Sequence, residues 1–223
     1  MYVLLPPNSI DQPITSGMMR SIHNALGTRF KKPSPEVQAA MKSEGVVVTI
    51  EQWGKVQRVD TTVGGLIRAA DSGVQGEDSR DASWVRVSVL TVNQVYGTDC
   101  ENQYEVLVDK NTRNSKPPEF HQVTRYGQLQ RLFRIQFETP CPALGLNETE
   151  TILLAAIRSC KLDPEDALLK HLDIHFYSAT GELDIVDLKC VECLVGRVPL
   201  GTSSWAVFDR SGDLVRSTWV SED

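Results

Sequence analysis

Apolar residues recur at three- and four-residue spacing only near the start of the chain, and this spacing predicts two short helices. In the first helix, Ser16 is the predicted N-cap and Gly27 the predicted end. The second would have Ser34 as N-cap, Pro35 at the first helical position and Gly45 as its end. The apolar positions are Met18, Met19, Ile22 and Leu26 in the first helix, and Val37, Ala40 and Met41 in the second. Helices this short are unstable alone in water, so both must pack on another part of the molecule.

From residue 46 onwards the apolar positions recur at every second residue, which is typical of β-strands. Short segments of this kind are separated by turn residues at intervals of about 10 residues. They cover residues 46–51, 53–59, 84–96, 104–108, 129–137, 152–157, 174–177, 183–186, 190–198, 204–208 and 214–220. The segment 152–157 is uniformly apolar and is also compatible with a short buried helix. A turn at Thr180 and Gly181 would make a hairpin of the segments on either side of it.

The pattern predicts a mainly β protein, an antiparallel barrel or sandwich with a short helical N-terminal segment. Residues 1–45 would be a helical extension or insertion packed on the core, and residues 46–223 the β-rich domain. The clearest strand is 129–137, in which Leu129, Phe133, Ile135 and Phe137 are predicted to line one buried face. Arg131 and Leu132 interrupt its alternation.

Charge is distributed unevenly along a chain whose net charge is −6. Residues 110–134 contain six basic side chains and one acidic side chain, a local charge of +5. The basic residues are Lys110, Arg113, Lys116, Arg125, Arg131 and Arg134. They form either a solvated strand face or a surface that binds nucleic acid or an acidic partner protein. The acidic total argues against non-specific coating of nucleic acid, because phosphate binding requires a basic field.

Compartment follows from the cysteines and from the apolar runs. The five cysteines are an odd number and are widely spaced, so we expect reduced thiols and no disulfide framework. No apolar run approaches the roughly 20 residues that cross a bilayer. The first residues lack the basic region of a signal peptide and are interrupted by Pro6 and Pro7. The sequence therefore predicts a nuclear or cytoplasmic protein with no membrane partner.

Known catalytic motifs are missing from the sequence, and one set of residues could bind a metal ion. His171, His175, Cys190 and Cys193 are the residue types of a tetrahedral zinc site. On extended strands, residues four apart are separated by about 13 Å and residues three apart point to opposite faces. We therefore predict that these four residues are structural. The expectation is no catalytic residue, no metal and no cofactor.

Several segments resemble the β-rich C-terminal region of large fungal open reading frames associated with CACTA-type transposases. They are residues 50–58 (IEQWGKVQR), 79–86 (SRDASWVR), 126–133 (YGQLQRLF), 153–157 (LLAAI), 172–177 (LDIHFY), 186–191 (VDLKCV) and 205–212 (WAVFDRSG). The strand order around 126–137 and 186–191 also resembles bromo-adjacent homology (BAH) domains, β-rich chromatin modules that bind histone tails or partner proteins. The resemblance implies an accessory domain of transposon-derived origin without the catalytic core of a transposase.

Taken together, these features predict a non-enzymatic interaction domain that binds a protein partner, including one associated with chromatin. One alternative is a DNA-binding accessory domain that uses the basic stretch 110–134. Another alternative is a small hydrolase whose site the known motifs do not identify. The sequence makes no prediction of oligomeric state.

Overall fold

The computed structural model describes residues 2–8, 13–59, 65–70, 82–89, 123–164 and 174–209. Two helices are present in these ranges, α1 (Ser16–Phe30) and α2 (Ser34–Met41). The strands are β1 (Tyr2–Asn8), β2 (Val48–Arg58), β3 (Leu66–Arg68), β4 (Trp84–Val89), β5 (Val123–Phe137), β6 (Glu150–Leu162), β7 (Ile174–Asp187), β8 (Val191–Leu200) and β9 (Ser204–Asp209). Short 3-10 turns lie at Pro142–Leu144 and Leu188–Cys190.

The strands form one antiparallel sheet in the order β1-β2-β5-β4-β8-β9-β7-β6, with β3 paired to β2. Strand β6 pairs with β5 as well as with β7, so β4 to β9 close into a six-stranded barrel. Closure removes the free edges of these strands. Strands β1 to β3 extend the sheet from β5 beyond the barrel. The predicted mainly β fold with a short helical segment is confirmed, and the barrel is the correct one of the two predicted architectures.

Both helices pack on the barrel and cover one end of it. Ile22 and Leu26 of α1 and Val37 of α2 are fully buried against Phe133 and Ile135 of β5. Burial of this apolar face stabilises helices that would be too short to persist alone. Residues 1–45 also contain β1, which pairs with β2, so this segment contributes a strand as well as the two helices.

The predicted N-cap and the predicted end of α1 are both wrong. The N-cap of α1 is Thr15, whose hydroxyl accepts a hydrogen bond from the Met18 amide at 3.2 Å. Helix α1 does not end at Gly27 but continues for another turn, to Phe30. A Cβ atom at Gly27 would lie 2.7 Å from the Lys32 carbonyl oxygen, so glycine is needed there for close approach of the chain rather than as a stop.

The N-cap prediction for α2 is also corrected by the structure. Ser34 is the first residue of the helix, the cap position is Pro33, and no side chain caps the helix. The helix ends at Met41, and Gly45, with a positive φ of 81°, belongs to the turn that leads to β2. Pro35 was predicted at the first helical position and is the second residue of the helix, still in the first turn, where its missing N–H breaks no helical hydrogen bond.

A β-bulge in β5 divides the residues that were predicted to share one face. Leu129, Phe133, Ile135 and Phe137 are all fully buried, as expected. The register of β5 against β6 shifts between Leu129 and Arg131, so one extra residue of β5 reverses the alternation. Leu129 therefore packs with Leu132, whereas Phe133, Ile135 and Phe137 pack under the helices. The prediction of burial is confirmed, and the prediction of a single face is wrong.

Two pairs of predicted strands are single long strands. Residues 46–51 and 53–59 correspond to the continuous strand β2. Residues 174–177 and 183–186 belong to β7, which passes through Thr180 and Gly181 without a hairpin turn. Residues 152–157 lie in β6, so the alternative prediction of a short buried helix is wrong. The predicted strands 104–108 and 214–220, and the part of 84–96 after Val89, lie outside the described residues.

Candidate functional site

A mixed aromatic and polar cluster lies on the barrel strands, apart from the core that packs under the helices. Its buried members come from five strands: Trp84 of β4, Tyr126 of β5, Tyr177 of β7, Val195 of β8 and Val207 of β9. Cys160 of β6, Cys193 of β8 and Trp205 of β9 pack against it and are partly buried. All six barrel strands therefore contribute to this cluster, called the aromatic cluster below.

Arg197 of β8 belongs to the same face, because of the strand register. It lies directly opposite Val207 of β9, which in turn lies opposite His175 of β7. Two residues before Val207 in β9, Trp205 pairs with Tyr177 on one side and with Pro199 on the other. Directly paired residues on neighbouring strands project to the same side of a sheet. The register thus directs the cationic side chain towards the aromatic rings.

The guanidinium of Arg197 stacks between two tryptophan rings. Its central carbon lies 3.2 Å from the ring centroid of Trp205 and 4.5 Å from that of Trp84. The Trp84 ring also contacts Tyr177, with ring centroids 5.7 Å apart. Cation–π contacts of this kind contribute about 0.5–2 kcal/mol each and hold the guanidinium plane in a fixed orientation.

Within the described part of the chain, no carboxylate pairs with Arg197. Two polar atoms of the cluster are buried without a hydrogen-bond partner there: Nε of Arg197 and the hydroxyl of Tyr177. Tyr177 as a residue is only 2% exposed, whereas Arg197 is half-buried. A buried donor that finds no acceptor costs about 1–3 kcal/mol. The Tyr177 hydroxyl lies beside the Arg197 guanidinium, and both atoms are enclosed by the protein.

The neighbouring acidic groups are held in their neutral forms. Burial raises the pKa of Tyr177 to about 12, assisted by the nearby Cys160 and opposed by the charge of Arg197. Burial also raises the pKa of the Cys160 thiol to about 12, again opposed by Arg197. At neutral pH neither group becomes an anion. The charge of Arg197 is consequently not balanced by a phenolate or a thiolate in the cluster.

The basic stretch that the sequence singled out is divided by the structure. Arg125 pairs with Asp184 at 3.1 Å, and Arg134 pairs with Glu51 at 3.0 Å. Arg131 donates a hydrogen bond to the side chain of Gln52 at 3.1 Å. Lys110, Arg113 and Lys116 lie outside the described residues. The three described arginines thus each contact an acidic or amide group of another strand, and a binding role for the stretch stays a prediction.

The four residues considered for zinc are placed in different surroundings. The ring of His175 lies against Tyr126, with ring centroids 4.7 Å apart. Cys190 ends the 3-10 turn Leu188–Cys190 and is buried in the central core, while Cys193 packs against the aromatic cluster. His171 is outside the described ranges. In those ranges, no three His, Cys, Asp or Glu side chains are grouped so that they could hold a metal ion.

A separate cavity of about 200 Å³ lies between α1 and the barrel. Helix α1 contributes the polar side chains Ser21, Asn24 and Thr28 to its wall. The ion pair of Arg125 and Asp184 also lines it. The remaining wall is mostly aliphatic. The cavity is large enough for a small molecule. Arg125, the cation in its lining, already has Asp184 as a carboxylate partner.

Sequence reasoning missed the aromatic cluster, although one signal for it was present. Val195 and Arg197 lie two residues apart in a strand-like segment and must share a face. An arginine on the apolar face of a predicted strand is unusual, since arginine is rarely buried without a partner. The tryptophans that flank it come from β4 and β9, and no local pattern connects them to residue 197.

Comparison of the chain with protein-family models, with curated proteins and with solved structures finds no match. Neither of the helices in the described ranges is long and apolar enough to cross a membrane.

Proposed function

We propose that this chain is a non-enzymatic interaction domain that binds a protein partner with the end of the barrel that carries the aromatic cluster. The observation that supports this most directly is the exposed apolar end of the β8–β9 hairpin. Val198 and Leu200 are each 44% exposed, and Pro199 between them is exposed as well. Gly201, with a φ of 74°, makes the tight turn that projects these residues.

The position of this apolar segment matters more than its exposure. Single apolar side chains are common on protein surfaces and need no explanation. Here Pro199 shares the face of Arg197 and pairs directly with Trp205 across the hairpin, while Val198 and Leu200 lie on the opposite face of the same hairpin end. Tryptophan, tyrosine and arginine are the residues that dominate binding energy at protein interfaces. The combination is typical of an interface centre with an apolar surround.

A non-enzymatic role is supported by the direction of the pKa changes in the cluster. General bases and nucleophiles need a pKa near the working pH, or a thiol whose pKa is lowered. Cys160 and Tyr177 have pKa values raised to about 12, which keeps both groups protonated and unreactive. These two side chains are suited to packing and to hydrogen-bond donation rather than to proton transfer.

The resemblance to transposon-associated reading frames and to BAH domains extends the proposal. On that basis we propose a transposon-derived origin, a protein partner that includes chromatin components, and a location in the nucleus or cytoplasm. The β-barrel is compatible with such a module, because barrels present rigid hairpins and loops at their ends.

A paired set of variants tests the proposed surface. Val198→Thr with Leu200→Thr removes apolar area from the hairpin and retains residues suited to strands. Val47→Thr with Val59→Thr is the matched control, since these valines are 48% and 56% exposed and lie at the ends of β2. Each form is used as bait for proteins of the source cell, and captured proteins are quantified by mass spectrometry.

The expected result is a defined set of proteins captured by the parent and by the control, and lost from the hairpin variant. One captured protein, purified, should then bind the parent directly and bind the hairpin variant at least about tenfold more weakly, a difference of about 1.4 kcal/mol. Equal capture by both double variants would contradict the proposal. Direct binding that is unaffected by the hairpin substitutions would contradict it as well.

A further inference from the structure

We infer that the aromatic cluster recognises a carboxylate group of the partner, and that the guanidinium of Arg197, clamped between Trp84 and Trp205, is the group that binds it. This inference rests on the proposed function, because it specifies what the same end of the barrel binds. The carboxylate would come from an acidic side chain or from the C-terminus of the partner protein.

The first argument is the geometry of the clamp. Indole rings at 3.2 Å and 4.5 Å lie over the guanidinium, which restricts its approach to groups in its own plane. The N–H donors of arginine lie in that plane and form a rigid fork that matches the two oxygens of a carboxylate. The side chain is therefore already oriented for paired hydrogen bonds, so little conformational entropy is lost on binding.

The second argument is the unbalanced charge. A partly buried cation without a counter-charge is costly, and the described residues supply Arg197 with aromatic contacts but no carboxylate. Nε of Arg197 and the Tyr177 hydroxyl are themselves buried, so an incoming acceptor would meet the other N–H groups of the guanidinium. An incoming carboxylate supplies both the negative charge and the acceptor oxygens. A neutral carbonyl would supply only the acceptor, and a cation would supply neither.

The third argument concerns which anion fits. A single guanidinium matches the single charge and the two oxygens of a carboxylate. Phosphate carries up to two charges and three strong acceptor oxygens, and protein sites for it usually combine several cationic groups. The nearby surface is apolar, because Pro199 is exposed on the same face of β8 and pairs with Trp205. These surroundings favour a segment of protein that has an acidic group beside apolar residues.

Short peptides of defined composition can test this directly with the full chain. The first probe is the pentapeptide Gly-Ser-Glu-Ser-Gly, acetylated at its N-terminus and amidated at its C-terminus. The second replaces Glu by Gln, and the third keeps Gln but has a free C-terminal carboxylate. Inorganic phosphate is the fourth probe. Binding is followed by NMR at millimolar probe concentrations through the indole N–H signals of Trp84 and Trp205 and the Nε–H signal of Arg197.

Saturable shifts of these signals are expected with the Glu peptide, the free C-terminal peptide, or both, and this distinguishes the two sources of the carboxylate. The amidated Gln peptide should bind at least about tenfold more weakly. Arg197→Gln should abolish the shifts of the tryptophan signals. Arg197→Lys should weaken binding about tenfold or more, because an ammonium keeps the charge but lacks the planar fork. Arg134→Gln, which alters an arginine paired with Glu51, is the control and should bind as the parent does.

Three results would overturn the inference: no shift with either carboxylate peptide, equal binding of the Gln peptide, or phosphate binding as tight as that of the peptides. The variant Val198→Thr with Leu200→Thr separates this outcome from the proposed function. It should retain the pentapeptide response, since the clamp is intact, while losing the partner protein. If the peptides fail but the hairpin substitutions still abolish partner binding, the interaction surface stands and the carboxylate does not.

Discussion

Two arginines lie near opposite ends of β6 and differ in the groups that contact their guanidinium: carboxylates in one case, aromatic rings in the other. Arg29 of α1 is paired with Glu150 at 2.5 Å and with Asp187 at 2.6 Å, and its side chain is only 9% exposed. Arg197, at the other end, is held by Trp84 and Trp205 and pairs with no carboxylate of the described residues. The first cation is neutralised by carboxylates of the chain, and the second has no such partner among the residues that the structure describes.

This difference separates an arginine that stabilises the fold from one that we propose as a binding group. Arg29 joins α1 to β6 and β7, and Asp187 also accepts a hydrogen bond from the Lys189 amide, so removal of one partner would leave charges buried and unpaired. Among the described residues, Arg197 contacts side chains of the aromatic cluster and no carboxylate. The three predictions below test this distinction.

The largest effect is expected at the helix-covered end, for Phe133→Ala. Phe133 is fully buried between β5 and the helices, and truncation of such an aromatic side chain costs about 3–5 kcal/mol. The free energy of unfolding is measured by urea denaturation, with Thr124→Ala on the exposed part of β5 as control. A loss below about 1 kcal/mol would mean that this end is not the main source of stability.

The two arginines themselves give the sharpest comparison. Arg29→Gln should lower the free energy of unfolding by about 3–5 kcal/mol, because Asp187 and Glu150 are left without their cation. Arg197→Gln should change it by about 1 kcal/mol or less, since loss of the cation–π contacts is offset by removal of an unbalanced buried charge. Both values come from urea denaturation at neutral pH. Equal losses for the two variants would show that Arg197 has a counter-charge within the chain.

The smallest effect should appear only at alkaline pH. Tyr177 and Cys160 have folded-state pKa values of about 12, above their unfolded values of about 10 and 9. The folded state therefore holds more protons than the unfolded state between these limits, and stability falls as pH rises from about 9 towards 12. Tyr177→Phe should make that fall shallower, as measured by thermal unfolding across the range. An identical pH dependence in parent and variant would mean that the hydroxyl is not shielded from water.

The comparison also shows what local sequence patterns could and could not predict. The period of two after residue 46 predicted the mainly β fold, and the apolar spacing at Ile22, Leu26 and Val37 predicted the buried faces of both helices. These features depend on residues close together in the chain, and burial of one face imposes its period directly on the sequence. The buried side chains of β5 were identified for the same reason.

Errors arose where the partner strand decides the local structure. The bulge after Leu129 gives β5 one residue more than β6 at that point, and the interrupted alternation at Arg131 and Leu132 marked the place without showing which face each apolar residue would take. In the same way, β7 continues through Thr180 and Gly181, because those residues lie along β6 in an extended strand instead of forming a turn. A turn residue has a preference for turns, but the hydrogen bonds of a neighbouring strand outweigh it.

The sequence by itself thus determined the class of fold, the buried face of each helix and the residues that must leave water. Only the tertiary structure decided how the barrel closes and which distant side chains meet in the aromatic cluster. Trp84, Tyr177, Arg197 and Trp205 come from four strands, and the pairing of β8 with β4 and β9 brings them together. Burial is a property of each residue's own apolar surface, which the sequence encodes locally. A binding site depends on the relative positions of side chains, and the long-range pairing of strands sets those positions.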